Sequence, residues 1–324
     1  MKIQDNLTKL NISIQKSHTP IIFLDSNYII EFNKVLMSKS ENIKFERLFD
    51  ILNILASEQL IQCPIADQEL EVGYGKNKEQ NPLILAKLSN GIKFKNFVNI
   101  ETLEQRIFFD AFIHSVQHIV LDYQLGLKNT KSPDISIIIT DDDILALQKM
   151  KLEIAQKMNN LKADKKNLSF DKLLKDEIYS EGRTFIRYLK GREMQPIPES
   201  FYKGIIEMYD DIVSSNNLTV NEETLQSFVD FLFSDYWIEV PYCYIKKSLF
   251  ASMLFSDRKF KKSDYMDISN ACHFLPFCNV FLTDKHIANC MIELGLDRKY
   301  NTSIFSSTNI DELIYKLEHL AGVN

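Results

Sequence analysis

The run Pro20-Ile-Ile-Phe-Leu-Asp-Ser-Asn27 constrains this chain more than any other stretch. Consecutive apolar residues without polar alternation do not suit a sheet with one wet face. The run therefore predicts a strand covered by helices on both sides, as in a parallel α/β sheet. Asp25 falls at the C-terminal end of that strand, where open α/β sheets gather their ligands. A helix is expected from about Tyr28 to Leu36 and another from about Phe45 to Glu58. Leu60-Ile-Gln-Cys-Pro64 reads as a second short strand, followed by a helix carrying Asp67, Glu69 and Glu71.

From about residue 100 to 255 the apolar spacing is helical, with Phe108, Phe112, Val116 and Val120 as one stripe. Charged helices are expected around 142–165 and 170–190, a polar link near Ser214–Asn221, and a helix over 222–234. Gly (9) and Pro (8) are few while Phe (22) and Tyr (13) are plentiful, which favours long helices with short connections. Strand character returns at Asn279-Val-Phe-Leu-Thr283, which again ends on an acid, Asp284, and near Thr302–Phe305. Helices are expected at about 243–256, from Ser263, over 285–296 and over 309–320. Neither end of the chain has enough strands for a sheet with two covered faces. The expected fold is therefore α/β, a central parallel sheet flanked by helices. Its core is discontinuous, from 1–100 and 240–324, and 101–239 forms a large helical insertion.

A net charge of −6 gives no overall positive field, so any nucleic-acid surface must be a local patch. Cysteines stand at 63, 243, 272, 278 and 290 with no C-x-x-C pair, which argues against a disulfide framework or a zinc knuckle. The N-terminus lacks a signal-peptide apolar core and no run of about 18 apolar residues occurs, so the chain reads as soluble and cytoplasmic, without membrane partners.

The acids at expected strand ends and first helical turns are Asp25, Glu69, Asp264, Asp267 and Asp284. Asp25 and Asp284 would emerge at one sheet edge if their strands are parallel neighbours. Asp264 and Asp267, three apart on a helix, share a face. Carboxylates gathered there repel unless a cation neutralises them, and hard oxygen ligands select Mg²⁺ or Mn²⁺. Such ions serve phosphodiester hydrolysis. The same placements suit helix caps and helix dipoles, with Ser263 a candidate cap, so both uses stay open.

In order, the strand ending Phe23-Leu-Asp-Ser-Asn27, the helix with Glu69-Leu-Glu-Val-Gly73, the Asp267-Ile-Ser-Asn-Ala271 helix and the strand ending Phe281-Leu-Thr-Asp-Lys285 resemble the four acidic motifs of PIN-domain nucleases. The resemblance covers roughly residues 18–100 and 240–324. It implies a PIN-like core and a catalytic set of Asp25, Glu69, Asp267 and Asp284. Asp264 would be an accessory metal ligand or an alternative third acid, and Glu71 or Asp67 an alternative to Glu69. Ser26, Asn27 and Thr283 match supporting positions. The stretch from Ser263 to Lys285 is also similar to a bacterial PIN-like subgroup, from which Asn279 departs because that subgroup carries Asp there. RNA is implied as the substrate rather than DNA, the family being mostly ribonucleolytic.

Arg258, Lys259, Lys261 and Lys262 precede the acidic helix and are candidates for phosphate contact, with Lys246 and Lys247 further upstream. Tyr236, Trp237, Tyr242 and Tyr244 have the chemistry to stack on bases, although core packing is the plainer reading. His114 and His118 have zinc-like spacing on what reads as ordinary helix surface, with no third ligand. Ile135 to Asp143 mimics a strand ending in acids but reads as the cap of a following helix. Three alternatives remain: a catalytically inactive PIN-like binding protein with the insertion as its protein-partner surface, a flap-type DNA nuclease, and a phosphatase-type hydrolase. The last is disfavoured because the first motif, Asp25-Ser26-Asn27, lacks the second Asp of an Asp-x-Asp nucleophile pair.

Overall fold

The computed structural model describes residues 10–40, 42–66, 81–129, 141–194 and 203–320. Among these the strands, in chain order, are β1 (Asn11–Gln15), β2 (Ile22–Leu24), β3 (Ile92–Phe94), β4 (His118–Asp122), β5 (Leu127–Asn129), β6 (Val280–Leu282) and β7 (Ser303–Phe305). The protein mixes helix with short strands, and β2, β6 and β7 form a parallel sheet in that order. Ile22, Phe23 and Leu24 lie opposite Val280, Phe281 and Leu282, which in turn lie opposite Ser303, Ile304 and Phe305.

Both faces of this sheet are covered, as the unalternating apolar runs require. Ile22, Leu24, Leu282 and Phe305 pack on one face with the helices Ser26–Leu36, Ile43–Ser57, Asn81–Ser89 and Ile310–Leu320. The intervening residues project to the other face. There Phe23 stacks on Phe281 at 4.4 Å and on Phe274 at 5.5 Å, and Phe274 stacks on Phe94 at 4.3 Å. Phe274 ends the helix Asp264–Phe274, so the aromatic stack fixes that helix against the sheet.

The described residues fall into two compact units. The sheet unit comprises those of 16–96, 122–164 and 258–320; the helical unit, those of 10–15, 97–121 and 165–257. Relative to the expected boundaries at 100 and 240, β1 falls in the helical unit, and longer segments change sides as well. The helix Asp141–Asp164 packs against Asp264–Phe274 and belongs with the sheet. The helix Pro241–Phe255 packs along Phe170–Ile178 and belongs with the helical unit.

Within the helical unit, Phe109, Phe185, Phe228 and Phe231 form an aromatic core with Tyr209 and Trp237. Lys247, almost wholly buried, pairs with Glu181 and donates to Ser180 Oγ at 2.8 Å. Burial pushes the Glu181 carboxyl up, but the charge and hydrogen bonds of Lys247 outweigh it and the group ends below its ordinary value.

Two expectations are corrected. The stripe Phe108, Phe112, Val116, Val120 is not one helix, because Phe97–Ile113 stops and β4 begins at His118. Ser115 takes a left-handed φ of 53°, Val116 N–H donates to Ala111 O and Ser115 N–H to Phe112 O, a closure that satisfies the last carbonyls. His114 and His118 therefore do not share a helix. Leu60–Pro64 is not a regular strand either: only Gln62 bridges Ile21, and Ile65 bridges Lys93. Pro64 has no N–H to continue a ladder.

Gly126, between the turn at Tyr123–Leu125 and β5, marks a close approach. A Cβ there would meet the Phe277 ring at 2.6 Å, and Phe277 is fully buried. We expect Gly126→Ala to cost about 1–3 kcal/mol by overpacking. Urea unfolding of the variant would check this, and an unchanged midpoint would show that Phe277 can yield.

Candidate functional site

The parallel pairing of β2 and β6 sets the geometry of the candidate site. Because Leu24 lies opposite Leu282, the chain leaves both strands at the same sheet edge, and Asp25 N–H donates to Leu282 O at 3.1 Å. Asp25 and Asp284 thus reach one edge although most of the chain separates them. Each caps the helix that follows. Asp25 Oδ1 accepts from Ser26 N–H at 2.7 Å, and Oδ2 accepts from Asn27 Nδ2 at 3.3 Å. Asp284 Oδ1 accepts from both His286 N–H at 2.6 Å and Ile287 N–H at 2.9 Å, while its Oδ2 accepts no hydrogen bond from a described residue.

Tyr28, one turn beyond Asp25, places its hydroxyl 3.5 Å from Thr283 O. Its ionisation is pushed far up by burial and then by the charges of Asp25 and Asp284, which locates the phenol within the field of both carboxylates. Ser26 and Thr283 are buried, and Thr283 N–H ties this edge to β7 through Phe305 O at 3.0 Å.

Asp264 is fully buried and holds a different place from that expected of an accessory ligand. Arg258 Nη1 and Nη2 donate to its two oxygens at 2.7 and 2.9 Å, and Lys261 N–H adds a third bond at 2.6 Å. The hydrogen bond with Asp264 raises the Arg258 pKa, and the charge of Asp284 adds to the effect. Asp264 is therefore neutralised by a guanidinium. Ser263 forms no side-chain cap for this helix. Asp267 is buried one turn further on. Glu69, Glu71 and Asp67 lie outside the described residues, as do positions 135–140 of the expected helix cap.

Of the basic run, Lys259, Lys261 and Lys262 are exposed while Arg258 is committed to Asp264. Lys247 is withdrawn into its pair with Glu181, and Lys246 lies 5.7 Å from the Tyr242 ring. Trp237 and Tyr242 are buried, Tyr242 accepting from Gln105 Nε2 at 2.8 Å, so they pack the core of the helical unit. Asn279 immediately precedes β6, and its Oδ1 accepts from Ile21 N–H at 2.9 Å, so its side chain serves the opposite end of the strand pair from Asp25 and Asp284.

Two residues near the edge escape sequence reasoning. His286, in the first turn after Asp284, is held below its ordinary pKa by burial and by Arg258, with Asp264 and Asp284 opposing. Tyr28 is the other. Their only sequence signal is proximity to an acid at a strand end. Among the described residues no three His, Cys, Asp or Glu side chains are grouped to hold a metal ion, and no helix is long and apolar enough to cross a membrane.

No family model, curated protein or solved structure matches this chain.

Proposed function

We propose that this chain is a PIN-like nuclease, dependent on Mg²⁺ or Mn²⁺, that cleaves single-stranded RNA internally in the cytoplasm. The observation that carries the reading is the shared edge of Asp25 and Asp284 on paired parallel strands. An all-oxygen donor set of this kind fits a hard divalent cation. Asp25 and Asp284 would hold it, with Glu69 from the segment outside the described residues. Asp267 enters this set through the resemblance, not through a grouping of three side chains among the described residues. When bound, the ion would lower the pKa of a coordinated water and screen the phosphate. Asp25 and Asp284 are fixed by their capping bonds, so their carboxylates are preorganised rather than freely rotating.

A second reading is a PIN-like protein that binds nucleic acid or a protein partner without cleaving. The Arg258 pair with Asp264 favours it, because a carboxylate engaged by a guanidinium is lost to a metal. Labelled single-stranded RNA, incubated with the protein and Mn²⁺ or Mg²⁺, distinguishes the two. Internal products that disappear with chelator are expected. Undamaged RNA with either ion, alongside retained binding, would give the field to the inactive reading. Cleavage confined to branched DNA would indicate a flap-type nuclease.

A further inference from the structure

The turn that carries Arg258 is held far more firmly than a solvated basic run needs. From the helix Asp141–Asp164, Asn159 grips both backbone groups of Phe260: its Oδ1 accepts from Phe260 N–H at 2.9 Å and its Nδ2 donates to Phe260 O at 3.0 Å. Asn159 Nδ2 also donates to Ala155 O at 2.8 Å, so both amide hydrogens are used and the side chain is locked on its own helix. Lys162, one turn on, donates from Nζ to Arg258 O at 2.7 Å. The Phe260 side chain is buried. Residues 258 to 260 are thus pinned on the backbone side by Asn159 and Lys162, and on the side-chain side by Asp264.

The Arg258 fork to Asp264 uses two of the five guanidinium N–H donors. Its remaining donors meet no described acceptor, and the side chain keeps 26% of its surface exposed. A planar cation fixed at one end, with donors to spare, has the form of an anion receptor. Asp264 offsets one charge of the turn, while Lys259, Lys261 and Lys262 remain exposed around it.

We propose that the 258–261 turn is a prebuilt phosphate clamp in which Arg258 contacts a phosphate and Asn159 is its positioning residue. The proposal rests on the nuclease reading only for the identity of the ligand, a nucleic-acid backbone phosphate beside the Asp25 and Asp284 edge. It gives the helix Asp141–Asp164 a task at the site, although that helix lies outside the segments that resemble PIN nucleases.

The test measures binding of pyrophosphate and of a short single-stranded RNA, both in chelator, to the wild-type chain, Arg258→Ala, Asn159→Ala and the double variant. Far-ultraviolet circular dichroism and melting of each variant check folding. Arg258→Ala should weaken both ligands roughly tenfold or more, the loss of one charge-assisted phosphate contact. Asn159→Ala should weaken both by a comparable factor in the wild-type background and by nothing further in the Arg258→Ala background, because it acts through that residue. A silent Asn159→Ala, or one whose loss multiplies with that of Arg258→Ala, would overturn the positioning role. Wild-type protein that binds neither ligand would overturn the clamp itself. Pyrophosphate binding that follows the expected pattern while RNA neither binds nor is cleaved would keep the clamp and remove the nuclease reading.

Discussion

Asp284→Asn should reduce metal-dependent RNA cleavage by at least roughly a hundredfold while leaving the metal-free fold as stable as before. The structure makes this substitution unusually clean. Both capping bonds, from His286 N–H and Ile287 N–H, fall on the single atom Oδ1. An asparagine amide can present its oxygen there, and Asn caps helices about as well as Asp. What the variant removes is the charge, and with it the repulsion from Asp25 across the paired strands. Melting in chelator should therefore be unchanged or slightly raised. In Mn²⁺ the two proteins should part. A ligand that binds only the folded state stabilises it by about 2.7 kcal/mol at a hundred times its dissociation constant. Wild type should gain on that scale and Asp284→Asn should lose most of the gain. Loss of a metal ligand is expected to exceed the 10–100-fold effect of the outer groups that orient ligands. An equal Mn²⁺ response in both proteins, with cleavage intact, would leave Asp284 as a helix cap and nothing more.

The parts of this arrangement that were legible in the sequence are those set by local rules. The unbroken apolar runs at Ile21–Leu24 and Val280–Leu282 announced buried parallel strands, and both adopt them in register. The helices Ser26–Leu36, Ile43–Ser57 and Asp141–Asp164 were read to within a few residues. The one expected over 170–190 is instead two, Phe170–Ile178 and Ser180–Met194. The one expected over 285–296 ends at Glu293, before a separate turn of helix, Leu296–Tyr300. Less legible were elements whose identity depends on a distant partner. β3 is three residues long and exists because it pairs with β5, and β4 because it pairs with β1. β4 lies at the end of a helical stripe that its own five residues cannot outweigh. The side-chain-level site was read only in outline. Asp264 looked like one more carboxylate because a sequence does not show that Arg258, six residues earlier, folds back on it. Asn159 carried no signal at all, since its two bonds to Phe260 join segments about a hundred residues apart. A polar residue's partner is a product of tertiary packing, whereas a strand's burial is written in its own composition.

Stability should fall steeply once the pH passes about 9, and each unit should show this on its own account. In the sheet unit, burial raises the Cys63 thiol far above its ordinary value and pushes Cys278 up to about 12, and the Tyr28 phenol is likewise driven up. In the helical unit, burial raises Cys243 and Tyr242 in the same way. A group whose folded pKa exceeds its unfolded value contributes fully below the unfolded pKa and loses that contribution as pH climbs towards the folded one. Unfolded thiols ionise near 8.5 and phenols near 10, while the folded groups keep their protons, so the unfolded state binds fewer and alkali favours it. Each such proton contributes a slope of about 1.4 kcal/mol per pH unit. Lys16 opposes the trend. Its ammonium donates to Pro276 O, Cys278 O and Thr302 Oγ1, and burial lowers its pKa to about 8. The folded chain sheds that proton before the unfolded chain does, which adds stability between about pH 8 and the ordinary lysine value near 10.4. The sheet unit should therefore hold or gain slightly from pH 8 to 9. Above 10 it should lose roughly 3–4 kcal/mol per pH unit, as two thiols and a phenol outweigh one amine that is nearly spent. Against a total of about 5–15 kcal/mol, that is enough to unfold it within a few units. Urea melts under reductant at half-unit steps from pH 7 to 11, followed by Trp237 fluorescence for the helical unit and by hydrogen exchange in β2 and β6 for the sheet, would trace both curves. Lys16→Met should erase the plateau between pH 8 and 9 while leaving the steep fall in place. A stability flat from pH 8.5 to 10.5 in both units would mean that the buried thiols and phenols ionise as easily in the fold as in water, contrary to their burial.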